Sequence, residues 1–257
     1  MRLIKSFGLI LLSLAGVTAS AQTFEVDGIN YNVLSEAEGT VEVANGNYSG
    51  DVVIPAEVSH AGSTYRVMAI GDDAFFRCDA LKSISMLSVT TIGDYAFNYC
   101  TALKSVEMPS VTTIGGGAFA TCWSLPSVEM PSATTIGDNA FNSCTALKSV
   151  EMPSVTTIGH GAFATCWSLP SVEMPSATTI GDNAFASCYE MDSVFIPASC
   201  TSIGFNPFTS CKELKEIVVD ENNPNYSSAD GVLYDKDKTI LIGWPTAKGN
   251  VDILPSV

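Results

Sequence analysis

The sequence is short of positive charge. It has 12 Lys and Arg against 27 Asp and Glu, only two His, and a formal net charge of −15 over 257 residues. A surface of that sign repels nucleic acid and anionic membrane, which excludes functions built on phosphate contacts. Catalytic signatures are missing too. The chain holds no HExxH, no GxSxG, no glycine-rich phosphate loop and no CxxC pair that would hold zinc. His60 and His160 have no nucleophile partner evident in the sequence. The expectation is therefore a protein that is not an enzyme, with no catalytic residue, no metal site and no cofactor.

Long apolar runs are also absent beyond the start of the chain. Arg2 and Lys5 precede a short apolar core, Leu9 to Val17, and Ala19-Ser20-Ala21 has the small residues of a cleavage site. Residues 1–21 read as a secretory signal peptide cleaved near Ala21, too short and wrongly flanked for a membrane anchor. The expected location is secreted or at the cell surface, with no membrane insertion. No Cys lies at the junction, so nothing indicates a lipoprotein. Loss of Arg2 and Lys5 moves the charge balance from −15 to −17.

What is present is periodicity. Ile-Gly returns at Ile70, Ile92, Ile114, Ile136, Ile158 and Ile180, every 22 residues, and at Ile203 after one more. Phe75, Phe97, Phe119, Phe141, Phe163, Phe185 and Phe208 follow at a fixed offset. A period of this length predicts a repeat solenoid in which each unit packs only on its neighbours. Residues 101–144 and 145–188 are one 44-residue block copied in tandem, differing only at Gly116/His160 and Asn142/Ala186. Duplication makes columns of like residues, whereas a catalytic site needs singular ones.

Within the unit, Leu103, Val106 and Met108 point inward from a short strand and Glu107 points outward. Pro109 ends that strand. Val111 and Ile114 point inward from a second extended piece, and Gly115 supplies a turn. Ala118, Phe119 and Cys122 have helical spacing, so one or two helical turns are expected there. Asp72, Asp94, Asp138 and Asp182 are the candidate N-caps of those turns. The fold class is thus mostly β with short helical turns and a parallel strand ladder, in seven units of 22–23 residues.

Eight Cys in an exported chain would ordinarily mean disulfides. Here seven of them, from Cys78 to Cys211, form a single column, and Cys200 falls in the column of Val111, Ala133, Val155 and Ala177. Both columns read as small buried positions, that is, as thiols. Stacked units roughly 4.8 Å apart are also within reach of a bridge, so the redox state stays open.

The pattern LxxVxMPxVTxIGxxAFxxC resembles the leucine-rich repeats of the BspA-like (Treponema-type) family of bacterial surface proteins, over residues 67–219. The resemblance implies a division into a β-rich N-terminal cap at 22–66, the leucine-rich repeat solenoid at 67–219 and a β-hairpin insertion at 220–250. Residues 251–257 then read as the start of an incomplete further repeat, because Leu254-Pro255-Ser256-Val257 resembles Met108-Pro109-Ser110-Val111. It further implies adhesion to host or bacterial protein or glycoprotein, although the repeat motif defines no binding residue to carry over.

Four features compete as sites. Glu107, Glu129, Glu151 and Glu173 occupy one outward column, with neighbours roughly 5 Å apart that repel by about 1 kcal/mol in water. Lys82, Lys104 and Lys148 lie nearby, and a Ser column alongside indicates a polar, concave face. The column reads as a contact stripe for a basic partner, as a weak Ca²⁺ site, or as a solvated face that keeps the sheet soluble. Trp123, Trp167 and Tyr189 form an edge column, either a ligand anchor or a cover for the helical turn. His60 and His160, and the Asp230-Gly231 and Asp235 to Lys238 turns, read as structural. The expected function is non-catalytic, adhesin-like binding of an extracellular protein or glycoprotein. The alternative is a spacer or scaffold of the cell envelope for a missing C-terminal part.

Overall fold

Each 22-residue unit makes one turn of a coil, and successive turns are joined along three sides by parallel ladders. The computed structural model describes residues 22–249 and Leu254. The expected leader, and all of 251–257 except Leu254, lie outside the described residues. The first ladder is made of Thr–Ile strands. Thr91–Ile92, Thr113–Ile114, Thr135–Ile136, Thr157–Ile158, Thr179–Ile180 and Ser202–Ile203 pair in order, Thr on Thr and Ile on Ile until Thr179 meets Ser202. The second is made of Ser–Val–Glu strands: Leu81–Ser85, Ser105–Glu107, Ser127–Glu129, Ser149–Glu151, Ser193–Ile196 and Glu216–Val219.

The third side is the Ala-Phe-Cys segment, and it is not helical. Two residues per unit have φ of 49–66°, among them Asn139 and Ser143, or Gly117 and Thr121. No α-helix survives two left-handed residues four apart. Alternate amides instead turn sideways to the next unit, as when Phe119 N–H donates to Ala140 C=O at 2.7 Å and Thr121 N–H to Asn142 C=O at 2.8 Å. The amides between them close tight turns, such as Cys122 N–H to Phe119 C=O at 3.2 Å. The spacing of Ala118, Phe119 and Cys122 fits a helix, but lateral pairing satisfies the same backbone groups. The Asp residues consequently cap no helix. Asp94 Oδ1 accepts the N–H of Gly116 at 2.6 Å and Asp138 Oδ1 that of His160 at 2.8 Å, one turn further along.

The core is a set of vertical stacks. The seven Phe rings lie face to face, with centroids 4.8 Å apart at Phe75–Phe97 and 5.7 Å at Phe185–Phe208. Beside them the Cys column stays as buried free thiols, as does Cys200. Cys122 Sγ donates to Phe97 C=O at 3.2 Å, and Cys144, Cys166 and Cys188 repeat the bond. Burial pushes these thiols up, Cys144 to about 12. Gly115 also acts differently from expectation. Its φ is not positive; it is Gly because a Cβ there would sit 2.6 Å from the Gly93 carbonyl carbon. The column lets neighbouring backbones approach, and no turn conformation depends on it.

The N-terminal strands feed these ladders. β1 (Thr23–Val26), β2 (Ile29–Ser35) and β3 (Thr40–Val43) are antiparallel neighbours. β4 (Gly50–Val53) runs parallel to Leu81–Ser85, and β5 (Glu57–His60) makes a hairpin with β6 (Ser63–Ile70). β3 pairs parallel with β6, whose end joins Thr91–Ile92. Residues 40–54 therefore form a further, degenerate turn of the coil, and the Tyr48 ring lies on Phe75 at 4.5 Å. At the other end the expected hairpin has three strands, Tyr226–Ala229, Val232–Asp235 and Leu241–Gly243. Buried Asn223 donates to Pro197 C=O and Cys200 C=O, both at 2.8 Å, and so closes that end of the stack.

Candidate functional site

The Ser–Val–Glu side carries the candidate carboxylates because its strands alternate, with Val inward and Ser and Glu outward. Glu107, Glu129, Glu151 and Glu173 are all exposed. Glu129 and Glu151 are register partners, and Glu151 bridges to Glu173. Ser85 Oγ donates to Glu107 Oε2 at 2.7 Å. The lysines expected to offset this charge do not contact it. Among the described residues the ion pairs are His160–Asp182, Lys215–Asp192 and Lys248–Asp230. The four carboxylates face solvent without a cationic partner.

This ladder is thin where the copied block has Pro in the Lys column: no described pairing joins Ser105–Glu107 to Ser127–Glu129, and a single bridge, Glu151 to Glu173, joins Ser149–Glu151 to the next turn. Lys104 N–H donates to Lys82 C=O and Lys148 N–H to Pro126 C=O, both at 2.8 Å. Pro126 and Pro170 have no N–H to return to the carbonyls of Lys104 and Lys148. Met86 N–H and Met130 N–H each reach the next Glu carbonyl at 2.9 Å, a bond that Met108 and Met152 do not make. Backbone pairing is reduced at these two junctions, and a copy of one groove lies beside each. One, of about 420 Å³, lies between Lys104, Glu107 and Pro109 on one turn and Glu129 and Pro131 on the next. Its copy, of about 410 Å³, lies between Lys148, Glu151 and Pro153 and Glu173 and Pro175. Sequence reasoning missed these grooves, although Pro in a ladder position signals them. The Thr–Ile ladder, with no Pro, is the continuous sheet.

The edge aromatics are not one line. Trp167 stacks on Tyr189 with centroids 5.9 Å apart, and Lys212 Nζ lies 4.0 Å over the Tyr189 ring. Trp123 stands apart, because the next turn has Thr145 in that place. The two indoles are 51% and 45% exposed, so they do not serve as covers. A second exposed aromatic group went unnoticed in the sequence. Arg77 lies 5.4 Å over both Phe76 and Tyr99, on turn positions where sister units carry small or polar residues.

His60 stacks on Phe24 at 4.3 Å, and His160 Nδ1 lies 3.4 Å from Asp182 Oδ2. Asp235 accepts from the N–H groups of Thr239 and Ile240 at 2.6 and 2.7 Å, and these bonds hold its carboxyl below the usual range. It is a turn residue. Among the described residues no His, Cys, Asp and Glu group is placed to hold a metal ion, and no helix is long and apolar enough to cross a membrane.

The model of the BspA type leucine rich repeat region matches residues 68–177 and 134–230, in six copies. The chain belongs to the BspA-type leucine-rich repeat family. No functionally curated protein matches it. Among solved structures, a leucine rich cell surface protein of Faecalibacterium prausnitzii is 31% identical over 88% of this chain, with a TM-score of 0.78. The Treponema pallidum leucine rich repeat protein is 30% identical over 75% of this chain and 91% of its own length, with a TM-score of 0.67. The pneumococcal vaccine antigen PcpA, 23% identical over 92% of this chain with a TM-score of 0.66, shares the fold. This BspA-type chain spans 62% of the Faecalibacterium protein and 60% of the pneumococcal antigen.

Proposed function

We propose that this BspA-type chain is a secreted or surface-exposed, non-catalytic binding protein that holds an extracellular protein or glycoprotein on its Ser–Val–Glu side. The observation that carries this is the duplicated groove. Each copy offers a Lys, two Glu without a cationic partner and free backbone groups, and the two lie two turns apart on one rigid stack. Two weak contacts at a fixed spacing bind a repetitive partner far more tightly than either alone. The N-terminal sequence and the cell-surface description of the Faecalibacterium relative support export. Trp167 and Tyr189 on the neighbouring edge offer aromatic anchors for the same partner.

The test is binding of the purified protein to immobilised matrix proteins, mucin and whole bacterial cells. Saturable binding at micromolar concentration is expected. Absence of binding across the panel contradicts the reading. It would favour the spacer role, to which the unbroken Phe75–Phe208 stack lends stiffness.

A further inference from the structure

A coil with three ladders has three edges to close at each end, and the described residues close five of the six. At the C-terminal end, Asn225 Nδ2 donates to Thr201 C=O at 2.8 Å, Thr246 Oγ1 to Cys211 C=O, and Ile217 N–H to Gly231 C=O at 2.9 Å. At the N-terminal end, β3, β2 and β1 cover the Thr–Ile ladder, and Gly46 N–H and Asn45 Nδ2 cover the turn ladder through Ala74 C=O and Asp73 C=O. The Ser–Val–Glu ladder ends at β4, which has no strand on its outer side among the described residues.

The direction of the free groups follows from the paired ones. Gly50 N–H and Ile54 N–H donate inward to Ala80 C=O and Ser85 C=O, both at 2.8 Å. Alternation along the strand aims the N–H and C=O of Asp51 and Val53 outward. No described residue pairs with them, and Val53 is 70% exposed. Free edges are normally blunted by Lys, Pro or a bulge. Here a register shift at Gly50 and Pro55 beyond the strand leave its centre open. In front of it lies a groove of about 730 Å³ between β4, the β1–β2 turn and β5, lined by the carboxylates of Asp27, Asp51 and Glu57 and by no Lys or Arg.

We propose that β4 is a docking edge for an extended cationic segment of a partner protein. The segment adds a strand through main-chain hydrogen bonds to Asp51 and Val53, and its basic side chains meet Asp27, Asp51 and Glu57. This surface is distinct from the duplicated grooves, and the proposal stands without them.

The probe is a ten-residue peptide of alternating Lys and Val. It is compared with the same peptide N-methylated at every second residue and with a Glu–Val analogue. Affinity is read by fluorescence anisotropy and the site by amide exchange. The Lys–Val peptide is expected to slow exchange at Asp51 and Val53, and N-methylation to weaken it at least tenfold at equal charge. Val53→Pro, which removes an outward N–H, is expected to weaken it tenfold without lowering the melting temperature, and Glu57→Lys to weaken it as well. Should Val53→Pro fail to fold, Glu57→Lys and the exchange map decide. Equal binding of the N-methylated or Glu–Val peptide, or protection on the Glu107–Glu173 column alone, overturns the proposal. So does concentration-dependent self-association abolished by Val53→Pro or Glu57→Lys, which would make a second copy the occupant.

Discussion

The carbonyl of Lys148 faces Pro170, one turn further along, and receives no hydrogen bond from it, whereas Lys148 itself donates to Pro126 C=O at 2.8 Å. One N–H is missing from each copied block beside its groove. Pro126→Lys and Pro170→Lys restore the donor and the sister-unit sequence. Each is expected to raise stability by about 0.5–1.5 kcal/mol and to close its groove. Denaturant unfolding and slowed amide exchange at Met108 and Met152 check this.

The Ile-Gly column predicts a steric outcome. A Cβ on Gly137 would stand 2.7 Å from the Gly115 carbonyl carbon. Gly137→Ala is expected to cost about 1–3 kcal/mol through overpacking between turns, although Ala favours regular structure elsewhere. Thermal unfolding of the single variant decides it.

Deleting a ring from the middle of the stack tests the nearest-neighbour character of the coil. Phe141 lies between Phe119 at 5.1 Å and Phe163 at 5.2 Å. Phe141→Ala is expected to cost about 3–5 kcal/mol and to split unfolding into two transitions, one on each side of the break. Phe208→Ala, at the end of the stack, should leave one transition.

The thiols give a pH dependence. Burial raises Cys200 from 9.0 to about 11 and Cys211 to about 12. Below pH 9 both states keep the protons and these groups change nothing. Above pH 9 the unfolded chain releases them while the fold holds them, so stability falls by about 1.4 kcal/mol per thiol per pH unit until the folded values are reached. Chemical denaturation at pH 8 and pH 10 is expected to show a large alkaline loss. At pH 8 the native protein should not react with a thiol reagent, and the unfolded chain should expose all eight Cys.

The columns were legible in the sequence because burial acts on every copy alike. The inward Leu, Val, Met, Ile, Phe and Cys positions follow from period and alternation alone. The Ala118–Phe119–Cys122 segment was misread because one spacing suits both a helix and a laterally bonded turn. Asn139, Asn183 and Asn206, with Gly117 and Gly161 in the same column, were the signal for left-handed backbone. Residues 51–55 hid a further turn, since Asp-Val-Val-Ile-Pro matches Ser-Val-Glu-Met-Pro only in its inward residues and its Pro. The Glu column was found directly, but the grooves beside it were signalled only by Pro126 and Pro170 in the Lys column, a change that leaves the hydrophobic period untouched.

The most direct test of the binding account is a variant with Glu107, Glu129, Glu151 and Glu173 all changed to Lys, assayed on the same panel as the unaltered protein. The account predicts an unchanged melting temperature within about 1 kcal/mol of stability, since exposed charges contribute little, and loss of saturable binding by at least tenfold. Binding kept at full strength would contradict it, and would place the contact on Trp167 and Tyr189 or at the β4 edge.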